Sequence, residues 1–326
     1  MKNLIKRALI GVLAGVMLVT SPAVARASET SEKGAKLRQQ VEEAFHKKVD
    51  EIDKEDFGEI KPTKYKGADF EYVKATPYSR GNTDTVYFKI VDDSTIRLIG
   101  SDNSTGIINI IDLKRAYGVN VNKIIVDSFE GNKKLEEFAI LSTAKVVLPK
   151  NCFKDCTNLA YFFVDTGDLS SGGLDNLPDG VFKNCKKLYT QIEIDANKVN
   201  KIGKSAFENS GLCEITIENA HKFKSFGESA FKNCKHLGEI YLWSNKFTES
   251  KDVAKYYKKH TKIKISKNAF KGAGSSVKKD VLFVVGNDNY NHFYGFGNDC
   301  SNFANGKLPD NFFVGYTNPD GYAEGR

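Results

Sequence analysis

The sequence predicts a repeat solenoid: parallel β-strands stacked coil upon coil, with short helical or irregular connections on the convex side and an N-terminal α+β capping region. Three observations predict it. One block recurs with its phenylalanine in a fixed place, at Phe129, Phe153, Phe182, Phe207, Phe231 and Phe270. The intervals are 24, 29, 25, 24 and 39 residues, the period of stacked supersecondary units. Each full block ends in an apolar residue, in most copies leucine, followed by alternating apolar positions, the signature of a short strand with one buried face.

Residues 1–27 run from a basic start (Lys2, Lys6, Arg7) through the apolar stretch Ala8 to Thr20 to Ala25-Arg26-Ala27. That order predicts a secretory signal peptide cut after Ala27. The apolar run is shorter than the ~20 residues that span a bilayer, so no integral membrane segment is expected after cleavage. Losing Lys2, Lys6, Arg7 and Arg26 takes the formal charge from +7 to +3, which removes any charge argument for nucleic acid. No lipidation cysteine, LPxTG-type signal or hydrophobic tail is present, and the expectation is a released protein.

Residues 28–126 read as an N-terminal helix and a divergent β-rich cap. Leu37, Val41, Ala44, Phe45, Val49 and Ile52 recur at three- and four-residue steps, predicting an amphipathic helix over 34–54. "TVYFKIVDDSTIRLIG" reads as a hairpin about Asp92-Asp93-Ser94, followed by the strand-like "GIINIIDL" and "VNKIIV".

The solenoid is expected over 127–286. Its copies are "DSFEGNKKLEEFAI" at Asp127, "LPKNCFKDCTNLAYFFV" at Leu148, "LPDGVFKNCKKLYTQIEI" at Leu177, "IGKSAFENSGLCEITI" at Ile202, "FGESAFKNCKHLGEIYL" at Phe226 and "ISKNAFKGAGSSVKKDVLFVV" at Ile265. No block can bury its own apolar face, so neighbours must build one core, with the phenylalanines as its spine. The wide last interval holds a charged insertion, 245–262, whose Val253, Tyr256 and Tyr257 suggest a short helix. The Gly/Asn-rich 287–326 is expected to be a terminal cap or truncated repeat. In it "LPDNFFVGYTNP" parallels "LPKNCFKDCTNL" and stops at Pro319 before any strand.

The recurrent I-G-x-x-A-F-x-x-C-x-x-L-x-x-I-x-I resembles the BspA-like, or Treponema-type, leucine-rich-repeat family over roughly Val121 to Gly286. The copies at Ile202 and Phe226 are close matches. The resemblance implies a bacterial or protist protein, secreted or at the cell surface, whose curved solenoid mediates adhesion to host matrix proteins, host cells or other microbes. The sequence departs from longer leucine-rich repeats in lacking a regular asparagine ladder.

Aligned on the phenylalanine, Cys156, Cys185 and Cys234 share a column with Ser210 and Ala273, a place for a small, fairly apolar side chain. A Cys156 to Cys185 disulfide is compatible with strand spacing, but serine and alanine in the column show that the fold does not require one. The five histidines (His46, His221, His236, His260, His292) form no H-x-x-x-H, and no metal or cofactor is expected. "YNHFYGFGNDCSNFANG" faintly resembles the nucleophile segment of cysteine amidases, with Cys300 in that place. No histidine follows it, so the sequence reads as non-enzymatic. The alternatives are an envelope-protein fragment bearing that segment, or a structural envelope protein.

Binding chemistry is better supplied. The residues between the inward apolar pairs point outward: Tyr161, Phe163, Glu193, Glu214, Thr216, Glu239 and Tyr241, with Trp243 at a strand end. Aromatic groups among acids suit a protein ligand, and this face is the predicted binding site.

Overall fold

The computed structural model describes residues 16–19, 64–65, 68–69, 71–75, 83–92, 94–111, 121–165, 173–289, 292–295 and 297–318. The helix expected over 34–54 lies outside the described residues. The chain divides into two compact units, the first of residues 1–128, 134–147 and 161–173, the second of 129–133, 148–160 and 174–326.

In the first unit β1 (Val16–Val19) pairs antiparallel with β4 (Glu71–Ala75), and β2 (Lys64–Tyr65) with β3 (Ala68–Asp69). The expected hairpin is β5 (Thr85–Asp92) and β6 (Thr95–Ser101); in its turn the Asp92 carboxylate accepts the Ser94 N–H at 3.0 Å. From β6 onward the pairing is parallel. β6, β8 (Lys123–Val126) and β10 (Lys145–Val147) stack in one sheet, and β7 (Ile107–Ile111), β9 (Glu137–Leu141) and β11 (Tyr161–Asp165) in a second. β12 (Gly173–Leu174) opens with Gly173, whose N–H donates to the Ala144 carbonyl. Coils therefore begin ahead of Asp127, because the second hairpin strand, β6, already lies in parallel register with β8.

A fully buried carboxylate pins the first coil. Asp84 Oδ1 accepts the N–H groups of Thr105 (2.7 Å) and Gly106 (2.9 Å) and the Thr105 hydroxyl (2.8 Å), while Oδ2 accepts the Ser101 hydroxyl (2.8 Å). Full satisfaction is what makes a buried carboxylate tolerable. Gly106 must be glycine: its φ is +81°, and a Cβ would lie 2.1 Å from the Lys134 carbonyl oxygen.

The second unit carries the repeat in its regular form. Each coil contributes a long strand and a short one. The long strands β13 (Gln191–Asp195), β15 (Glu214–Glu218), β17 (Glu239–Trp243), β19 (Val281–Gly286) and β22 (Phe312–Asn318) are parallel and in register, with β20 (His292–Gly295) antiparallel at the edge. The short strands β14 (Lys201–Ile202), β16 (Ser225–Phe226), β18 (Ile263–Ile265) and β21 (Ala304–Asn305) form a second parallel sheet. Inward positions such as Ile215, Ile217, Ile240, Leu242, Phe283 and Val285 are buried, which fixes the register, since a slip of one residue would expose them all.

The six marker phenylalanines form one continuous stack. Successive ring centroids lie 5.8, 5.4, 5.4, 5.2 and 5.3 Å apart from Phe129 to Phe270, with interplanar angles of 17° or less. Phe312 closes it, 5.3 Å from Phe270 and tilted by 56°.

Around this spine the backbone repeats with the chain. Phe153, Phe182, Phe207 and Phe231 each donate their N–H to the residue preceding the phenylalanine of the next coil, at 2.7 to 2.9 Å. Two residues later Asp155, Asn184, Asn209 and Asn233 have positive φ, and their side chains form a ladder: Asn184 to Asp155 (2.7 Å), Asn209 to Asn184 (2.9 Å), Asn233 to Asn209 (3.0 Å). The expected absence of an asparagine ladder is thus corrected. The ladder sits at the left-handed position of the turn, where Asn and Asp are the best tolerated side chains.

The cysteine column has a polar purpose too. Cys156, Cys185 and Cys234 are free, buried thiols, each donating to the carbonyl of the preceding coil's phenylalanine: Phe129 (3.1 Å), Phe153 (2.9 Å) and Phe207 (2.7 Å). The column takes a small side chain: cysteine in three coils, Ser210, whose hydroxyl lies 3.5 Å from Cys234 Sγ, and Ala273. Beside the spine, buried Glu208 bridges two coils, accepting Lys183 at 2.8 Å and Lys232 at 2.9 Å. Burial opposes its ionisation, but the hydrogen bonds from Lys183, Lys232 and Ser205 prevail and hold its pKa down at about 2.

Two remaining expectations meet the structure differently. The insertion forms helix α1 (Ser250–Lys259), docked through Val253 and Tyr257. "LPDNFFVGYTNP", expected to stop short of a strand, is itself largely strand: Val281 pairs with Phe312 and Val285 with Tyr316. Phe312, Val314 and Tyr316 alternate inward and are buried, so period two governs this segment, and the resemblance to the Leu148 block is superficial.

Candidate functional site

The outward residues of the long strands fall into rows across the second unit. One runs Gln191, Glu214, Glu239, Leu282, Phe313; the next Glu193, Thr216, Tyr241, Val284, Gly315. The face therefore grades from acidic on β13 and β15 to aromatic and aliphatic on β17 and β19. Tyr241 and Trp243 stack at 4.9 Å, Trp243 continues to Phe293 at 6.5 Å, and the Tyr241 hydroxyl donates to Glu239 Oε2 at 2.7 Å.

Strand register brings like charges together. Glu214 and Glu239 are directly opposite on neighbouring strands, where Cα atoms are ~4.8 Å apart. Burial and then the Glu239 charge push the Glu214 carboxyl up to about 7, against hydrogen bonds from Thr216 and Gln191. The Tyr241 phenol is raised by burial and by its bond to Glu239. Near neutrality Glu214 is thus part protonated, and the face is less negative than its sequence.

The predicted site residues differ in what they display. Glu193 is exposed; Glu214, Glu239 and Tyr241 are half-buried; Thr216 and Trp243 are 2% and 8% exposed, Trp243 being flanked by the Tyr241 and Phe293 rings. The display is therefore narrower than alternation alone implies. Tyr161 and Phe163 belong to β11 in the first unit, half-buried and stacked at 6.2 Å. In their sheet Tyr161 pairs with Glu137, whose carboxyl burial raises.

One residue that pattern reading passed over stands at the start of the same strands. Tyr189, 69% exposed, makes an edge contact at 5.9 Å with His236, two coils away. The intervening coil leaves room because Ser210-Gly211-Leu212 is one residue shorter than Cys185-Lys186-Lys187-Leu188, a signal visible in the aligned blocks.

The thiol chemistry considered for Cys300 lacks its setting. Cys300 is buried, its Sγ faces the Gly306 carbonyl at 3.7 Å, and burial raises its pKa, whereas a nucleophile needs it lowered. The segment makes strand β20, a turn and short strand β21. No group of three or more His, Cys, Asp or Glu side chains placed to hold a metal occurs among the described residues.

A parallel-β solenoid with a graded acidic and aromatic strand face defines a repeat protein of the leucine-rich class, whose domains generally serve protein binding. The chain belongs to the family of BspA type leucine rich repeat regions, with six copies matched over residues 88–173 and 169–276. The match reaches further toward the N-terminus than the sequence blocks, in keeping with coils that start at β6. A leucine rich cell surface protein from Faecalibacterium prausnitzii is 14% identical, over 61% of this chain and 86% of that one; its TM-score is 0.17, too low to bear on the fold. No curated protein matches the chain. No helix among the described residues is long and apolar enough to cross a membrane.

Proposed function

We propose that this chain is a secreted or cell-surface adhesion protein that binds a protein ligand, from host matrix, host cells or other microbes, through the outward face of β13, β15, β17 and β19. The observation that carries the reading is the bond of the Tyr241 hydroxyl to Glu239, on a face whose row places Glu193 two strands away: acids to orient a basic partner, and an aromatic ring held by its hydroxyl to supply contact area at low entropic cost. Export follows from the leader-like residues 1–27. β1 lies inside that leader, so cleavage after Ala27 leaves β4 as a sheet edge.

The test is a panel of purified extracellular-matrix proteins on a sensor surface, with wild-type chain and the double variant Glu193→Ala, Tyr241→Ala. Loss of binding with unchanged circular dichroism supports the face as the site. Undiminished binding by the variant refutes that site, and absence of binding to every matrix protein refutes matrix adhesion. Mass spectrometry of the exported protein reads the cleavage point directly.

A further inference from the structure

The second unit segregates its charge between two faces. The outward rows of β13, β15 and β17 carry five acids (Glu193, Asp195, Glu214, Glu218, Glu239) and no lysine or arginine. The short-strand sheet has the opposite sign: exposed Lys201 and Lys264 stand in one row with Ser225 and Asn305, and exposed Lys224 precedes that row on the β16 side.

Helix α1 carries a second group of lysines; it is anchored by Ser250 on the Tyr294 hydroxyl at 3.0 Å and by the Tyr256 and Tyr257 hydroxyls on the His221 and Ala220 carbonyls. The stretch 244–267 holds eight lysines against two acids, and α1 ends only three residues before β18. Its buried residues are Val253 and Tyr257, while Lys251, Lys255, Lys258 and Lys259 are exposed. Lys251, Lys255 and Lys259 succeed one another at four-residue steps, a like-charge stripe that disfavours the helix itself. Lys251 pairs with Glu249; Lys224, Lys255, Lys258, Lys259 and Lys264 make no ion pair among the described residues. A stripe that weakens its own helix, with an acid paired only at Lys251, suits an external polyanion.

The chemistry narrows the occupant. Lysine is a compact, hydrated point charge on a flexible stem, suited to repeated anionic groups along a chain more than to bidentate recognition. No arginine lies among the described residues of this unit. The helix rings are engaged, Tyr256 against His260 at 4.0 Å and Tyr257 buried, so the face offers no platform for nucleobase stacking. Lys201 and Lys264 lie two strands apart, ~10 Å, which calls for an extended ligand. We propose that the exposed lysines of the short-strand sheet, with those of α1 as a second group, bind an extended anionic polysaccharide. This does not rest on the protein-binding reading, which uses the opposite charge on another face.

The probe is a size-defined heparin oligosaccharide, titrated into the full chain across a salt series. Lys255→Gln with Lys258→Gln and Lys259→Gln, and separately Lys201→Gln with Lys224→Gln and Lys264→Gln, should each weaken binding about tenfold and flatten its salt dependence. Lys186→Gln with Lys187→Gln and Lys235→Gln removes equal charge elsewhere and should change affinity less than about twofold. Glu193→Ala with Tyr241→Ala should bind the oligosaccharide as wild type does. Equal weakening by all three lysine triples would reduce the effect to net charge and overturn the proposal. So would absence of wild-type binding, tighter binding to duplex DNA of equal charge, or light scattering showing that the lysine face is taken up by the acidic face of a second copy.

Discussion

Replacing Phe231 by alanine should be among the most damaging single changes in the second unit. Its ring is fully buried between Phe207 at 5.2 Å and Phe270 at 5.3 Å, with an edge contact to Phe226 at 6.1 Å. Truncation removes the transfer free energy of the ring and leaves a void that a backbone hydrogen-bonded to both neighbouring coils cannot easily close, about 3–5 kcal/mol in all. Against a typical domain stability of about 5–15 kcal/mol that is a large fraction. In a quasi-one-dimensional stack the loss is felt at two coil interfaces. Phe129, the first ring of the spine, stacks on Phe153 at 5.8 Å and is 7% exposed, so Phe129→Ala should cost less than Phe231→Ala. Urea unfolding monitored by circular dichroism compares the two with wild type. A Phe231→Ala midpoint equal to wild type, or Phe129→Ala as damaging as Phe231→Ala, would refute the stacked-spine account.

The two glutamates six residues apart should respond to pH with opposite sign. For Glu208, lowered from 4.5 to about 2, stabilisation is present above pH 4.5 and lost as pH falls toward 2; Glu208→Gln should cost about 2–3 kcal/mol at pH 7 and little at pH 2, by urea unfolding at both. For Glu214, raised from 4.5 to about 7, folding favours the protonated form, so stability falls as pH rises from 4.5 to 7; Glu214→Gln should stabilise by about 1–2 kcal/mol at pH 8 and be near neutral at pH 4, and an unchanged pH 8 midpoint would contradict the buried pairing. Native-state alkylation at pH 8, read by mass spectrometry, should spare Cys156 and Cys234, whose burial puts their pKa values at about 11 and 12, and modify half-buried Cys213 first; Cys300 as the fastest thiol would revive the nucleophile reading.

Much of the fold is written as columns. The phenylalanine register, the strand alternation, the hairpin at Asp92 and the helix carrying Val253 and Tyr257 are legible because each is a local pattern repeated or sharply bounded. The first coils are harder to read. β6 and β8 join the parallel stack without a marker phenylalanine between them, so the period has nothing to count. At the other end the shared Leu-Pro and Thr-Asn dipeptides of Leu308 and Leu148 outweighed the alternation of Phe312, Val314 and Tyr316, although alternation is what burial enforces. The ladder of Asp155, Asn184, Asn209 and Asn233 was visible as a column beside the cysteines, but its meaning depends on positive φ, which composition does not reveal. Trp243 and Thr216 show the limit of the strand rule for the site: period two gives the side on which a residue stands, whereas its exposure depends on neighbours such as Phe293, which are distant in sequence.

The same column logic explains how one stack can hold two surfaces of opposite charge. In a solenoid each position of the block is copied onto the same place in every coil, so a preference at one position becomes a stripe across the whole unit. The position before the first inward strand residue is acidic in Glu214 and Glu239, and one row of the short-strand sheet carries Lys201 and Lys264 on either side of Ser225. Between them the charge directly after the phenylalanine is used up internally, as Glu130 with Lys154 and as Lys183 and Lys232 on Glu208. Those buried or bridging charges hold coils together, while the stripes on either side contribute little to stability when exposed. The long-strand and short-strand faces are therefore free to vary for binding, whereas the phenylalanine turn between them is held by packing. Substitutions at exposed stripe positions such as Glu193, Lys201 and Lys264 should accordingly alter partners and leave the unfolding midpoint nearly unchanged, half-buried Glu214 excepted, and substitutions in the turn should do the reverse.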